Sequence, residues 1–321
     1  MQVKCPHCSA VFNAPDTVYY VVCPYCGTVL KYVAGRFEDT GIGHFYYPIN
    51  QRDPYPDLIE YLYKHTIVPD DFKDAADLRD RKLYYIPLYS YFVDGEVSLY
   101  LRDQLVITYA HGEYVAVPAV DVGMVSKLLA PWDTALEGKR FYDPSIREMG
   151  EYYDPEIHPF DIAWLAELVY KWWARIRVLE EYGYPYWADV AVSTTDFRGI
   201  VHYPVWWIRY YYKGCFYDAY VDGVDNRVIL AQYPVRFFGR LLRGLYALGL
   251  GFISAILSYN IISMIAPIKE LQIISGLVTG SVALVSVASI LAGLRRYGYA
   301  SSIWSEEVIE DLFKVFIEFP Y

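Results

Sequence analysis

Two long uncharged runs, residues 244–267 and 271–294, constrain this chain more than any other feature of its sequence. Neither run contains Asp, Glu, Lys, Arg or His, and only Ile268-Lys269-Glu270 separates them. A helix rises about 1.5 Å per residue, so each run is long enough to cross a hydrocarbon core of about 30 Å. A hairpin buried in a soluble core would still carry a polar face, which both runs lack. The sequence therefore predicts a two-helix transmembrane hairpin at 244–294.

The charges around the two runs predict their orientation. A connection this short makes the helices antiparallel, so both soluble parts of the chain lie on one side of the membrane. The connection offers only Lys269, which Glu270 offsets, and the positive-inside rule therefore puts the basic outer ends in the cytoplasm. Residues 1–5 hold no apolar signal segment, which agrees with this orientation. We expect a two-span protein of the cell membrane with both termini cytoplasmic. The flanking basic residues are Arg236, Arg240, Arg243, Arg295 and Arg296.

Small residues in the runs suggest how the two helices pack. Gly276 and Gly280 are four residues apart, the spacing that lets helix backbones approach closely in lipid. This motif favours packing within one hairpin, and a homodimer is the alternative. No ionisable residue lies at membrane depth, so the hairpin lacks the usual mark of an ion path. We expect it to serve as an anchor in the lipid bilayer.

A cysteine motif near the N-terminus carries the clearest chemistry. Four thiolates in two Cys-x-x-Cys knuckles can occupy the corners of a tetrahedron around a metal ion. Zinc is the expected ion and iron the alternative, while a reducing cytoplasm disfavours disulfides. Four cysteines close the coordination sphere, so the site is predicted to be structural. His7, inside the first knuckle, is expected to face solvent. The predicted ligands are Cys5, Cys8, Cys23 and Cys26.

The rest of the chain predicts an α+β fold with an antiparallel, aromatic-rich β domain. With 35 Tyr and 18% aromatic residues, the composition favours packing on strands. We expect a zinc ribbon at 1–33, a linker with a helix at 34–80, and a soluble α+β domain at 81–235. The transmembrane hairpin at 244–294 and an amphipathic helix at 300–321 complete the chain. The acidic face of that last helix predicts docking on protein rather than on lipid.

Turn signals divide the β domain into short strands. Asp94-Gly95 and His111-Gly112 predict hairpin turns in a meander spanning 82–120, and Pro87 is expected at an edge or a bulge. Apolar spacing predicts a helix over 160–182, with a core-facing tryptophan stripe. Further strands are predicted at 190–194, 200–212, 216–221 and 227–233, joined by turns at Lys213-Gly214 and Asp222-Gly223. The segments 85–89 and 202–206 resemble one another, which suggests an internal duplication of a small sheet.

The motifs together resemble a known group of proteins. The two cysteine knuckles, the aromatic-Pro strand 85–89 and the segment 203–207 are similar to those of prokaryotic membrane-anchored zinc-ribbon proteins, whose ribbon is of the transcription factor IIB type. The hairpin 216–230 resembles half of a PepSY module. The ribbon is the specific part, and Ser9 stands where such ribbons often have Gly. The resemblance implies a structural zinc and no catalytic residues.

The sequence favours a binding role over catalysis. It contains no phosphate-binding loop, no zinc-protease motif, no dinucleotide fingerprint and no nucleophile elbow. Cys215 stands alone and is expected to be a buried, inert thiol. The net charge of −10 disfavours nucleic-acid binding. The leading hypothesis is a protein-interaction or scaffold module on the membrane. The alternatives are a nucleic-acid-binding ribbon and rubredoxin-like electron transfer through iron.

Overall fold

The computed structural model describes residues 1–14, 20–33, 35–134, 138–236, 260 and 297–302. The predicted transmembrane hairpin at 244–294, except Asn260, and the predicted helix at 300–321, beyond Ser302, lie outside these residues. Among the described residues, no helix is both long enough and apolar enough to cross a membrane. The helices are α1 (Pro54–His65), α2 (Phe72–Ala75), α3 (Met124–Leu129), α4 (Ile146–Met149) and α5 (Pro159–Tyr182). The strands are β1 (Gln2–Lys4), β2 (Val11–Asn13), β3 (Tyr20–Val22), β4 (Val29–Val33), β5 (Arg36–Asp39), β6 (Gly43–Tyr46), β7 (Asp77–Leu101), β8 (Gln104–Pro118), β9 (Arg140–Phe141), β10 (Glu151–Tyr152), β11 (Tyr186–Tyr212), β12 (Cys215–Asp222), β13 (Val228–Pro234) and β14 (Tyr297–Ala300).

Two unusually long strands form the centre of the main sheet. β7 and β11 contain 25 and 27 residues and pair antiparallel over their whole length, from Asp77 opposite Tyr211 to Leu101 opposite Tyr186. In the part of the chain that the structure describes, this sheet has nine strands. The long edge of β7 is shared by β8 and β10, and β11 is flanked by β6 and β12. The mixed α+β architecture is therefore largely antiparallel.

The predicted turns at Asp94-Gly95 and His111-Gly112 are wrong. Both pairs lie inside strands and oppose one another, with Asp94 across from Gly112. The real turn comes at Arg102, whose φ is 55°. A Cβ on Gly95 would lie 2.3 Å from the carbonyl oxygen of Ala191, so this glycine permits close approach of β11 and does not mark a turn.

The similar segments 85–89 and 202–206 belong to one sheet. Ile86 pairs with Tyr203, and Tyr85 pairs with Pro204, so the segments are neighbours across β7 and β11 and not two separate small sheets. Pro87 lies where the β8 ladder has ended and the β10 ladder has not begun, so its missing N–H interrupts no ladder on that side. Pro87 therefore lies in a central strand and not at the sheet edge or the bulge that the sequence predicts, and the gap between β8 and β10 accommodates its missing N–H.

The end of the main sheet contains hairpins that the sequence predicts and one strand that it does not. The turn at Lys213-Gly214 joins β11 to β12, as expected, whereas β12 continues through Asp222 and residues 223–227 connect it to β13. The predicted separate strands at 190–194 and 200–212 are one strand, interrupted only by register shifts. The additional strand is β14, which pairs with β13 after the chain returns at Tyr297.

Helix α5 covers one face of the long strands. The predicted helix is confirmed: His158 Nδ1 accepts a hydrogen bond from the Phe160 amide at its start, and Gly183 follows its end with φ 68°. Its buried face packs on β7, β8 and β11. The tryptophan stripe is only partly core, because Trp164 is 48% exposed and Trp172 and Trp173 are half-buried. The buried side chains are Ile162, Leu165, Ala166, Val169, Tyr170, Ala174 and Val178.

The N-terminal cysteine region packs against the main domain. Val22 and Val29 belong to the same buried cluster as the inner face of α5. The predicted linker at 34–80 contributes β5 to the small β3–β4–β5 sheet and β6 to the main sheet. The helix predicted in this region is confirmed as α1, which begins at Pro54 with Asp53 capping the Tyr55 amide. Residues 34–80 thus tie the two parts together.

Candidate metal centre

The two cysteine knuckles have the same local backbone geometry. In the first, the Ser9 amide donates to the Cys5 carbonyl at 2.9 Å, and in the second, the Gly27 amide donates to the Cys23 carbonyl at 2.9 Å. Ser9 and Gly27 both take positive φ, at 63° and 74°. Ser9 therefore adopts the left-handed conformation in which glycine is usual.

These knuckles bring the four predicted ligands together. The Sγ atoms of Cys5 and Cys26 are 3.7 Å apart, as are those of Cys8 and Cys23, and all four lie within 4.8 Å of one another. Ligands about 2.3 Å from a tetrahedral zinc ion would be separated by about 3.8 Å. The cluster can therefore hold a metal ion. Cys5 and Cys23 are buried, whereas Cys8 is exposed.

The thiols differ in how readily they ionise. Burial raises the pKa of Cys23 to about 12 and also raises the pKa of Cys5. Burial acts in the same direction on Cys26, but hydrogen bonds from the Thr28 hydroxyl, 3.1 Å from Sγ, and its amide lower the pKa to about 6. A bound cation would favour all four thiolates, and Thr28 would orient the Cys26 sulfur.

The other candidate residues lie outside this cluster. His7 is exposed and does not belong to the four-sulfur group, as predicted. The expectation that Cys215 is buried is wrong: it is exposed at the first position of β12. Its side chain lies in a different part of the molecule, next to the turn at Lys213-Gly214, and takes no part in the cysteine cluster.

A buried histidine pair connects the second knuckle to the main sheet. His44 Nδ1 lies 2.9 Å from the Gly27 carbonyl oxygen, and His44 Nε2 lies 2.9 Å from His202 Nδ1. His202 Nε2 lies 2.9 Å from the Tyr153 carbonyl oxygen. Each of these three contacts needs one hydrogen, and the two carbonyl oxygens can only accept. Two neutral imidazoles supply only two N–H groups. One contact in the row therefore lacks a hydrogen while the pair is neutral.

Aromatic rings enclose this pair. Tyr142 stacks on His44 with a centroid distance of 4.2 Å, and Tyr152 stacks on His202 at 4.3 Å. Burial lowers the pKa of His44 to about 4 and holds the pKa of His202 well below its ordinary value. The Arg147 guanidinium, which lies over the Tyr152 ring, acts in the same direction on both histidines. The pair is therefore neutral at pH 7.

The sequence motifs identify the sulfur ligands but not this second layer. His44 and His202 are 158 positions apart, so only the parallel pairing of β6 with β11 brings them together. Tyr142 packs so closely on the knuckle that a Cβ at Gly27 would lie 2.3 Å from its ring. Thr28 could have been noticed, since it follows the knuckle directly and carries a hydroxyl.

Comparison with protein-family models, with curated proteins and with solved structures finds no match to this chain. The similarity to membrane-anchored zinc-ribbon proteins and to a PepSY hairpin therefore stays a prediction from the sequence. The structure itself shows a mixed α+β chain whose N-terminal region gathers four cysteines, Cys5, Cys8, Cys23 and Cys26, into a ribbon-like site able to hold a metal ion.

Proposed function

We propose that this chain is a membrane-anchored zinc-ribbon protein that acts on the cytoplasmic side as a protein-interaction module, without catalysis of its own. The observation that carries the proposal is the four-cysteine cluster, with neighbouring sulfurs 3.7 Å apart. Four protein thiolates complete a tetrahedral site and leave no position for water or substrate. Such a site stabilises a binding surface and performs no reaction.

Zinc is the ion that suits this site best. It accepts four thiolates in tetrahedral geometry and takes no part in redox chemistry under cellular conditions. When bound, it would cross-link the two knuckles and stabilise a region whose buried apolar side chains are few, chiefly Val3, Ala14 and Leu30. The proposal includes the similarity to prokaryotic membrane-anchored zinc-ribbon proteins and the similarity of the hairpin 216–230 to half of a PepSY module.

The points where the chain leaves and re-enters the main sheet support membrane anchoring. Pro234, at the end of β13, pairs directly with Tyr297, at the start of β14. The intervening residues 237–296 include both uncharged runs. A hairpin that crosses the membrane and returns needs its two ends close together on one side. The flanking arginines place that side in the cytoplasm by the positive-inside rule.

The outer surface of the cysteine region supports a binding role. Tyr25 and His7 occupy equivalent positions in the two knuckles and are both exposed. Tyr25 is 59% exposed, and Val11 on β2 is also exposed. An exposed tyrosine held on a metal-braced turn offers rigid apolar area at little entropic cost. We therefore assign the partner contact to this knuckle surface.

The first test is metal analysis with an optical spectrum on full-length protein purified from membranes. We expect about one zinc per chain and no visible absorption, as four thiolates around zinc give. Iron with thiolate charge-transfer bands would contradict the structural-zinc proposal. It would favour electron transfer instead, and the exposed Cys8 would then be the ligand through which electrons enter or leave the site.

The second test concerns the partner. Tagged full-length protein is captured from solubilised membranes as wild type, as Tyr25→Ser and as the matched control Tyr184→Ser, which alters a tyrosine that is 94% exposed elsewhere. We expect a stoichiometric partner with the wild type and with the control, and its loss with Tyr25→Ser at unchanged zinc content. Equal recovery with both variants, or no partner at all, would contradict the proposal.

A further inference from the structure

Five strands of the main sheet begin or end along one line, which we call the basal rim. β7 begins there at Asp77, opposite Tyr211 near the end of β11. β12 begins at Cys215, paired with Tyr212. β13 ends at Pro234, paired with Tyr297 at the start of β14. The rim is therefore the part of the main sheet from which residues 237–296 depart and to which they return.

The basal rim exposes large apolar side chains. Phe216 is 61% exposed, Ile67 is 56% exposed and Tyr297 is 43% exposed. Ile67 belongs to the rim because its carbonyl accepts a hydrogen bond from the Arg236 amide. An open groove of about 700 Å³ lies at the same rim, between the loop at Pro69 and the turn at Lys213. Exposed apolar residues at one end of a sheet can meet something less polar than water. The far end, at Leu105–Tyr109, also exposes apolar side chains, so the point at which residues 237–296 depart decides between the two ends.

The charges along the rim balance one another. Arg236 pairs with Asp70 at 2.6 Å, and Arg79 pairs with Asp77 at 2.9 Å. Lys213 pairs with Asp71, which also accepts a hydrogen bond from the Tyr212 hydroxyl. The chain as a whole carries a net charge of −10, yet each of these rim carboxylates has a cationic partner. This balance removes the repulsion that an acidic surface would meet at an anionic membrane.

We infer that the basal rim rests against the headgroup layer of the lipid bilayer, with Ile67, Phe216 and Tyr297 in the interface. This inference rests on the proposed membrane anchoring. Residues 237–296 leave and return at this rim, and their first uncharged run begins only eight positions after Arg236, at Gly244. Eight residues of any conformation span at most about 28 Å, which holds the rim near the bilayer.

The chemistry of the rim fits that location. Aromatic side chains such as Phe216 and Tyr297 favour the boundary between headgroups and acyl chains. Lys213 and Arg236 can extend their charged ends toward lipid phosphates while their aliphatic stems stay on apolar surface. In this orientation β7 and β11 run away from the membrane, and their far ends at Leu101 and Tyr186 point into the cytoplasm.

The test is photocross-linking of the full-length protein in lipid nanodiscs. Benzoylphenylalanine replaces Phe216 or Tyr297 at the rim, or Tyr184 beside the far end of β11 as the matched control. Each change exchanges one exposed aromatic ring for another, and zinc content checks that each variant is intact. Because interfacial aromatic side chains touch lipid, we expect on the order of ten-fold more lipid adduct at Phe216 and Tyr297 than at Tyr184.

Two outcomes separate this inference from the proposed function. If the wild type stays in the membrane after alkaline carbonate washing but the rim variants give no more lipid adduct than the Tyr184 variant, the rim inference is overturned and the anchor stands. If carbonate releases the wild type, the anchoring itself is refuted. A double variant, Ile67→Ser with Phe216→Ser, gives a second readout in nanodiscs: we expect lower adduct yield at Tyr297 with unchanged zinc content, and an unchanged yield would oppose the inference.

Discussion

Single residues in the second knuckle hold the metal centre against the main sheet. Gly27 combines a φ of 74° with a Tyr142 ring that would lie 2.3 Å from an added Cβ. Gly27→Ala therefore adds backbone strain and a steric clash at once. We expect it to destabilise the ribbon by about 1–3 kcal/mol and to speed zinc release. The rate of zinc transfer to a chromophoric chelator measures the effect.

Ser9 provides the matched control for that change. It has the equivalent position in the first knuckle and a similar φ of 63°, so Ser9→Gly removes a Cβ from the same strained conformation. We expect this variant to release zinc no faster than the wild type, with a gain or loss below about 1 kcal/mol. If zinc release were equally faster in both variants, the Tyr142 contact and the positive φ at Gly27 would not explain the effect of Gly27→Ala.

The pairing of strand β6 with β11 gives the molecule a pH-sensitive element. Burial lowers the pKa of His44 to about 4, so the folded state keeps it neutral where the unfolded chain would bind a proton. Above about pH 6.5 His44 is neutral in both states and the free energy of unfolding is at its full value. As the pH falls toward 4, the unfolded chain binds a proton at His44 that the folded state does not, and the free energy of unfolding decreases. Between pH 7 and pH 5 the expected loss is about 2 kcal/mol from His44 alone.

The measurement compares free energies of unfolding at pH 7 and pH 5 for the wild type, His44→Gln and His65→Gln. His65 at the end of α1 is exposed, so its replacement controls for loss of a surface histidine. We expect the His44→Gln variant to be less stable than the wild type at pH 7 but to lose less stability on acidification. A decline identical in all three proteins would refute the role of the pair. Zinc content is measured for all three proteins at both pH values, because His44 contacts the second knuckle at Gly27.

Elements differ in how well the sequence predicts them, and the difference has physical reasons. Helix α5 and the hairpin turn at Lys213-Gly214 depend on local patterns, which the sequence displays. Asp94-Gly95 has a similar local pattern, but pairing of β7 with both β8 and β11 decides its conformation. Strand β14 has no signal of its own, because its four residues are strand only through pairing with β13.

The metal site follows the same division. Its ligands could be predicted because two Cys-x-x-Cys knuckles encode their own turns, including the positive φ at Gly27. The contact between Gly27 and His44, and the pairing of His44 with His202, could not be predicted, because they require the finished sheet. A site formed by residues close together in the sequence can be predicted from the sequence, whereas contacts between residues far apart in the sequence cannot.

At the scale of the whole molecule, we expect a metal in the cysteine site and the main sheet to stabilise different parts of the chain. Structural zinc contributes on the order of 10 kcal/mol to small zinc-finger domains, and we expect a contribution of that order here on the proposal that the cysteine site holds zinc. The long β7–β11 ladder has its own buried cores, including Tyr203, Val205 and Ile208, which do not touch the cysteines. We therefore expect removal of the metal by a strong chelator to unfold residues 1–33 and to leave the main sheet folded.

Hydrogen exchange of the full-length protein before and after chelation tests this expectation. Protection should disappear in the knuckles and weaken at His44 and Tyr142, which lose their contacts with Gly27, while β7 and β11 keep theirs. Readdition of zinc, but not of magnesium, should restore the protection, because only a thiophilic ion binds four cysteines tightly. Loss of protection throughout β7 and β11 would contradict this expectation and would mean that the metal stabilises the whole molecule. The route would be the buried cluster that Val22 and Val29 share with α5, through which unfolding of the ribbon would spread to the sheet.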